Sequence, residues 1–204
     1  MPLIKLQAYC DQRLLYEGDF PSLSACLEQA VAEHVNLDGI DLHNANLINT
    51  NLDDAIMSNA NFSGANLSGA NLSESILTGA NFAGTALYNT CLCYSDLSYC
   101  DFGEAAFGAT DITGCDLSES RFSTLSAFTL DFNHVRNMAG CVFRDPGGTL
   151  CAMSQPPVVI HGLSNGPVIL LDHHAKLGGV VRPYRDWLGF AAALLSGSGG
   201  KLPI

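Results

Sequence analysis

Asn36-Leu37-Asp38-Gly39-Ile40, Asp41-Leu42-His43-Asn44-Ala45 and Asn46-Leu47-Ile48-Asn49-Thr50 are successive fives cut to one pattern, which runs on to about Phe132. A large apolar residue recurs on nearly every fifth position, from Leu37, Leu42, Leu47, Leu52 and Met57 to Ile112, Leu117 and Phe122. Two places before it the side chain is small: Ala55, Ala60, Ala65 and Ala70, then Thr, Ser or Cys, as at Cys100 and Cys115. A period of five matches neither the 3.6 of an amphipathic helix nor the 2 of an alternating strand. It is the signature of an all-β solenoid, in which each repeat buries its apolar face against its neighbours.

The unit A-[DN]-[LF]-x-x resembles that of the pentapeptide-repeat proteins, and eighteen unbroken units cover about half of the chain. The resemblance implies a right-handed, four-sided (quadrilateral) β-helix with four pentapeptides to a coil. The sequence supports four sides independently. Phe62, Phe82, Phe102 and Phe122 lie twenty residues apart, so one coil per twenty residues stacks them in a single internal column, a favourable arrangement for offset rings. The large residue and the small one two before it point inward, as extended geometry of period two requires. The position two after the large residue is rich in Gly and Asn, such as Gly39, Asn44, Asn49, Gly64 and Gly69, types that tolerate the positive φ of a tight corner. At about 4.8 Å per coil, about five coils span roughly 20–25 Å. Their open β edges need capping.

The flanks read as those caps. Residues 3–9 and 13–17 form a predicted hairpin joined near Asp11-Gln12. Ser22 or Ser24 then caps a helix to about His34, with Leu23, Cys26, Leu27, Ala30 and Val31 on one face, as a plug for the first coil. Beyond Phe132 the repeat dissolves. Residues 156–161, 167–172 and 175–181 read as strands, and 185–195 carries Trp187, Leu188, Ala191, Leu194 and Leu195 at helical spacing. Three parts are expected: a hairpin and capping helix over 1–35, the repeat β-helix over 36–134, and a small β-rich module with a terminal helix over 135–204. These flanks are similar to those of pentapeptide-repeat proteins encoded by phages and prophages. The departure is Leu177-Gly178-Gly179, where that subgroup would carry a Gly-Cys pair.

A composition 48% hydrophobic and 14% charged suits a solenoid filled with Leu and Ala. No apolar run approaches the roughly 18 residues of a membrane span. The start Met1-Pro2-Leu3-Ile4-Lys5-Leu6-Gln7 has no signal-peptide core, so the expected compartment is cytoplasmic. No nucleophile–base pair, phosphate-binding glycine loop or paired-carboxylate motif stands out, which argues against an enzyme and against a cofactor. Of the eight cysteines, Cys100 and Cys115 fall on inward small positions, where a thiol acts as a small apolar group. Cys91 and Cys93 flank inward Leu92 and point outward together, but no second pair or His completes a metal site at ligand spacing. His161, Asp172, His173 and His174 make a second candidate cluster if the tail strands pair, with a surface turn as the plainer reading. Neighbours on a strand face opposite ways, so only one of His173 and His174 can join it. No metal is expected at either place.

Charge is the clearest pointer to function. Between Asn36 and Ser120 there is no Lys or Arg against eleven Asp and Glu, so the whole net charge of −11 belongs to the repeats. Such a surface repels nucleic acid and suits basic proteins, including those whose own ligand is DNA. Asp96 stacks on Asp116 one coil away, while the central coils present Asn61, Asn66, Asn71 and Asn81, whose side chains can bond along a ladder. Asp and Asn satisfy the repeat position equally, which is the plain alternative to an acidic design. Ile56 and Ile76 take the outward slot usual for Asn or Asp and stack on one side. They mark either a contact patch or a surface covered by the flanks. Tyr94 and Tyr99 are outward corner residues.

Two functional readings result. The broader one is a non-enzymatic protein-binding or scaffolding rod, a phage-encoded host-interaction factor among its versions, touching a protein partner through Ile56, Ile76, Asp96, Asp101, Asp116 and Trp187. The sharper one rests on the resemblance. Some pentapeptide-repeat proteins act on DNA gyrase and topoisomerase IV by lying, as acidic DNA mimics, where duplex DNA would lie. Those members dimerise end to end, and the segment 187–195 is the candidate homodimer contact here. This chain departs from them in its five or so coils and in its caps.

Overall fold

The computed structural model describes residues 1–123, 130–161, 167–172, 174–177 and 180–183. The repeat folds as a β-helix. Within most of the fives, the carbonyl of the large residue accepts the N–H three residues on, as from Ala45 to Leu42 at 3.1 Å and from Ala65 to Phe62 at 2.9 Å. The third residue of that turn has positive φ, whether Asn44 (55°), Gly64 (68°) or Tyr94 (61°). Every fifth residue from Gly39 to Glu119 shares this conformation, so the chain turns four times in twenty residues. Coil-to-coil hydrogen bonds then repeat at the same interval: Phe62 N–H donates to Asn81 O (2.8 Å) and Asn61 N–H to Ile40 O (2.9 Å). Parallel bridges join Asp41 to Asn61, Asn46 to Asn66, Asn51 to Asn71 and Ile56 to Ile76, one on each side of the coil.

The interior follows from the large–small alternation. Phe62, Phe82, Phe102 and Phe122 stack with centroids 5.0, 5.0 and 5.2 Å apart and planes within 10°. Phe132 closes the column edge-on at 5.4 Å. The small inward residues of the later coils do more than fill space. Those with a hydroxyl or thiol reach back to the carbonyl of a large residue one coil before: Thr85 to Phe62 O (2.8 Å), Ser95 to Leu72 O (2.6 Å), Cys100 to Leu77 O (3.2 Å), Cys115 to Leu92 O (2.7 Å). Cys100 and Cys115 are therefore donors as well as apolar fillers. Burial pushes both thiols up, Cys115 to about 12, so they stay protonated and able to donate.

At the first end, β1 (Leu3–Gln7) and β2 (Leu14–Asp19) form the expected antiparallel hairpin. Its edge bonds to the first coil through Tyr9 N–H to Gly39 O and Asp41 N–H to Gln7 O, which satisfies groups an open β edge would leave bare. Ser22 caps α1 (Leu23–Ala32), its side chain accepting from Ala25 N–H. Cys26, Leu27 and Ala30 are buried in the common core, and Ser24 bonds to inward Thr50 at 2.8 Å while Glu28 accepts Asn51 N–H. The apolar face of the helix thus packs into the same core as the coils.

Among the coils, β3 (Ala86–Tyr88) pairs with β5 (Ala106–Gly108), and β4 (Asp101–Phe102) with β6 (Arg121–Ser123), all parallel. The far end differs from expectation. The parallel ladder does not stop at 134 but continues to β7 (Val142–Arg144), with Arg121 opposite Val142 and Phe122 opposite Phe143. Asp116 likewise bridges Asn137. One residue beyond twenty enters this coil, which breaks the period on paper, yet Cys141 and Phe143 still supply the buried small and large residues. β8 (Leu150–Ala152) then runs back antiparallel to β7 and ends the stack. A four-stranded antiparallel sheet follows, ordered β12-β11-β10-β9, from β9 (Val158–Ile160), β10 (Val168–Leu171), β11 (His174–Leu177) and β12 (Val180–Pro183). The single strand expected over 175–181 is thus two, with Leu177 paired to Val180. Leu171 joins the core of the coils. Among the described residues no helix is long and apolar enough to cross a membrane.

Candidate protein-binding face

Stacking at twenty residues sorts the outward side chains into columns, and one column sets large aliphatic side chains above stacked carboxylates. Ile56 bridges Ile76, Ile76 bridges Asp96, Asp96 bridges Asp116, and Asp116 bridges Asn137. The two large aliphatic exceptions to the Asn/Asp rule therefore share a face with the stacked acids. Ile76 is 45% exposed and Ile56 half-buried, so the described flanks leave Ile76 open. The corners bordering this face carry Asp54, Glu74 and Tyr94 on one side and Tyr99 and Glu119 on the other. Tyr94 and Tyr99 are 62% and 66% exposed. The corner acids were missed from sequence as part of a site; position modulo twenty is the signal that finds them.

The repeat itself builds each acid into the backbone. Asp96 Oδ1 accepts the N–H (3.0 Å) and hydroxyl (2.6 Å) of Ser98, and Asp116 Oδ1 those of Ser118 at 2.9 and 2.6 Å. Asn61, Asn66 and Asn71 make the same local turn with Ser63, Ser68 and Ser73, and Asn71 also reaches Asn51 along the ladder at 3.1 Å. Both carboxyls lie below the ordinary carboxylate value. Burial pulls them upward, but for Asp96 the bonds from Ser98 and Thr78 outweigh it, and for Asp116 those from Ser118 and Asn137 with the Arg136 charge. Arg136 stands 3.6 Å from Asp116 and closes the acidic end of the column. A depressed folded pKa contributes stability above the unfolded value, about 3.9, and loses it as pH falls through the folded value. The urea midpoint is therefore expected to hold from about pH 7 to 5 and to fall below about pH 4. The double variant Asp96→Asn/Asp116→Asn, which keeps the accepting oxygens, should show a shallower fall in the same titration.

The other predicted residues lie apart. Asp101 belongs to the adjoining column, between Asn81 and Arg121, where its Oδ1 accepts Gly103 N–H at 2.9 Å. Trp187 and the expected helix over 185–195 lie outside the described residues, as does His173. Cys91 and Cys93 do point out together, with sulfurs 3.2 Å apart and Ser73 Oγ 3.0 Å from Cys91. Burial, Cys91 and Asp111 push the Cys93 thiol up. The candidate grouping of His161, Asp172 and His174 does not form. Ile160 and Leu177 both pair with Val168, whereas His174 pairs with Leu171, so His161 and His174 stand at opposite ends of the sheet. Asp172 instead accepts the N–H and hydroxyl of Ser154. A cleft of about 380 Å³ between α1 and the first coil is lined by Glu28, Val31, Ala32, His34, Asn51, Asp53 and Asp54.

Residues 25–64 and 55–92 match the family model for pentapeptide repeats, with eight copies. A comparison with curated proteins finds no match. Similar solved structures include HetL, a pentapeptide repeat protein involved in heterocyst differentiation regulation in the cyanobacterium Nostoc. It is 21% identical over 54% of this chain and 64% of its own, with a TM-score of 0.38. A pentapeptide repeat protein of the Arabidopsis thaliana thylakoid lumen is 21% identical over 65% of this chain and 92% of its own, with a TM-score of 0.24. Full-length QnrB1, a plasmid-mediated fluoroquinolone resistance protein, is 21% identical over 54% and 62%, also at 0.24. The chain spans under two thirds of the length of HetL and QnrB1.

Proposed function

We propose that this pentapeptide-repeat chain is a non-enzymatic, protein-binding β-helix that meets its partner with the column Ile56–Ile76–Asp96–Asp116. What carries the reading is that this column combines large aliphatic groups, Ile76 exposed among them, with stacked carboxylates, between corners bearing Tyr94 and Tyr99. Exposed aromatic and aliphatic groups aligned on a rigid surface suit a protein contact. The carboxylates select a partner with a basic patch. Right-handed coils, as the family resemblance implies, hold that column straight, while the hairpin and helix of 1–35 and the sheet after the last coil act as caps. A phage-encoded host-interaction factor is one form this binding role would take.

A second reading is favoured by the charge: no Lys or Arg stands between Asn36 and Ser120. In it the rod is an acidic decoy that occupies the DNA site of gyrase or topoisomerase IV, with an end-to-end dimer through 187–195. The same experiment separates the two. The purified chain, Ile56→Asn/Ile76→Asn and Asp96→Asn/Asp116→Asn are compared in pull-downs from bacterial lysate, with salt and duplex DNA as competitors. Both double variants restore or keep the repeat's own side chains, so their folds should persist. The expected result is a partner lost with the Ile variant and retained more weakly, with a flatter salt dependence, by the Asp variant. Recovery of gyrase or topoisomerase IV that DNA displaces would support the decoy. Equal capture by all three proteins would sink the proposed face.

A further inference from the structure

Where the tail sheet meets the last coil, three segments deliver three different ligand types to one point. Asp145 leaves β7 in a tight turn, its N–H donating to Thr149 O and its carbonyl accepting Gly148 N–H, both at 2.9 Å. Its Oδ1 accepts Thr149 N–H at 2.8 Å, which fixes the carboxylate so that Oδ2 lies 3.9 Å from His174 Nε2. Cys151 on β8 sits opposite Phe143, and its sulfur lies 3.9 Å from the same Nε2. His174 opens β11 at only 8% exposure, its ring held edge-on to Phe143 with centroids 5.2 Å apart. All three ligand atoms fall within 4.8 Å of one another.

That convergence discriminates between chemistries. A nucleophile–base–acid relay uses both ring nitrogens of its His, one facing the thiol and the other the carboxylate. Here a single nitrogen faces both, so the group cannot act as a relay. The separation of 3.9 Å between nitrogen and carboxylate is also too long for a direct hydrogen bond. It is close to the spacing around a shared ion: ligands at 2.0–2.3 Å from a tetrahedral zinc stand about 3.3–3.6 Å from each other. Small side-chain rotations supply the rest. Thiolate, imidazole and carboxylate together suit a zinc-class ion and not calcium or magnesium, which want oxygen alone. The Thr149 N–H on Asp145 is the kind of outer contact that orients a metal ligand.

We propose that Asp145, Cys151 and His174 bind one zinc-class divalent ion, with water as the fourth ligand, and that this ion clamps the C-terminal sheet to the end of the β-helix. Ligands from the β7 turn, β8 and β11 would make the junction a single metal-linked unit. The proposal is independent of the binding face. The test uses untagged full-length protein stripped of metal by chelator, titrated with Zn²⁺ by calorimetry and with Co²⁺ by absorption. The expected result is one equivalent of either metal, a thiolate-to-cobalt charge-transfer band, and a higher Tm with Zn²⁺. Cys151→Ser should abolish the band and the Tm gain, and Asp145→Asn, nearly isosteric, should weaken binding by at least about tenfold, the cost of losing even an outer partner of a ligand. Cys91→Ser/Cys93→Ser should leave both intact. Absence of stoichiometric binding by the wild type would overturn the site, whatever the variants do. So would a band that survives Cys151→Ser or disappears with the Cys91/Cys93 pair.

Discussion

Phe82→Ala is expected to remove about 3–5 kcal/mol of unfolding free energy in urea titrations, the range for truncating a buried aromatic residue. Phe82 is wholly buried, and its ring stacks on Phe62 and Phe102 at 5.0 Å each. The cost depends on whether the walls of the new cavity can close. Here they cannot move far, because coil spacing is set by the backbone ladder, with Phe82 N–H on Asp101 O at 2.8 Å and Asn81 N–H on Ala60 O at 2.9 Å. The upper half of the range is therefore expected. Phe82→Leu restores a side chain that heads the same column, Leu42, and should cost roughly half as much. A solenoid is held by contacts between neighbouring coils only. Opening the central coil should therefore broaden the transition and lower its slope, as its two halves unfold less cooperatively. A loss below about 1 kcal/mol would mean that the rings slide together and that the stack contributes little beyond filling space.

The sequence revealed the coil because its period sits in residue types that physics ties to inside and outside. Leu or Phe must point in, and a small residue must stand two before it. Corners were only half legible. Gly39 and Asn44 announce positive φ by type, whereas Asp54, Glu74, Tyr94, Tyr99, Glu104, Ala109 and Glu119 adopt it against their own preference, held there by the ladders on either side. Only position, not residue type, identifies them. The last coil was hidden by one added residue, although Cys141 and Phe143 kept the inward pair. For the binding face, arithmetic by twenties aligned Ile56 with Ile76 and Asp96 with Asp116. That both pairs belong to one column is visible in the same arithmetic, but its significance depended on Ile76 being left uncovered. Asp145, Cys151 and His174 were not legible as a group, His174 having been singled out with other partners. Their spacing matches no ligand motif, and they meet only because β8 folds back on β7 and the tail sheet packs over that hairpin.

Gly69→Ala should cost clearly more than Gly84→Ala, although both glycines sit at corners with nearly the same φ, 72° and 68°. At Gly84 a Cβ would meet nothing nearer than Gly64 N at 4.0 Å. The penalty there is the left-handed conformation alone, about 1–2 kcal/mol, less what the stiffer unfolded chain returns. At Gly69 a Cβ would run into Oδ1 of Asn49 on the preceding coil, which adds about 1 kcal/mol or more for displacing that side chain. The same opposition recurs at Asn44 with Gly64, Asn59 with Gly79, Tyr94 with Gly114 and Glu119 with Gly140. Corner glycines would thus serve two ends, a backbone conformation and room for the side chain one coil away. A double-mutant cycle between Asn49→Ala and Gly69→Ala, read by urea denaturation, separates the two. Removing Asn49 Oδ1 should bring the cost of Gly69→Ala down to that of Gly84→Ala, with a coupling of about 1 kcal/mol. A coupling near zero would leave φ as the whole reason for glycine at these corners, and the pairing of Asn with Gly along them would be coincidence.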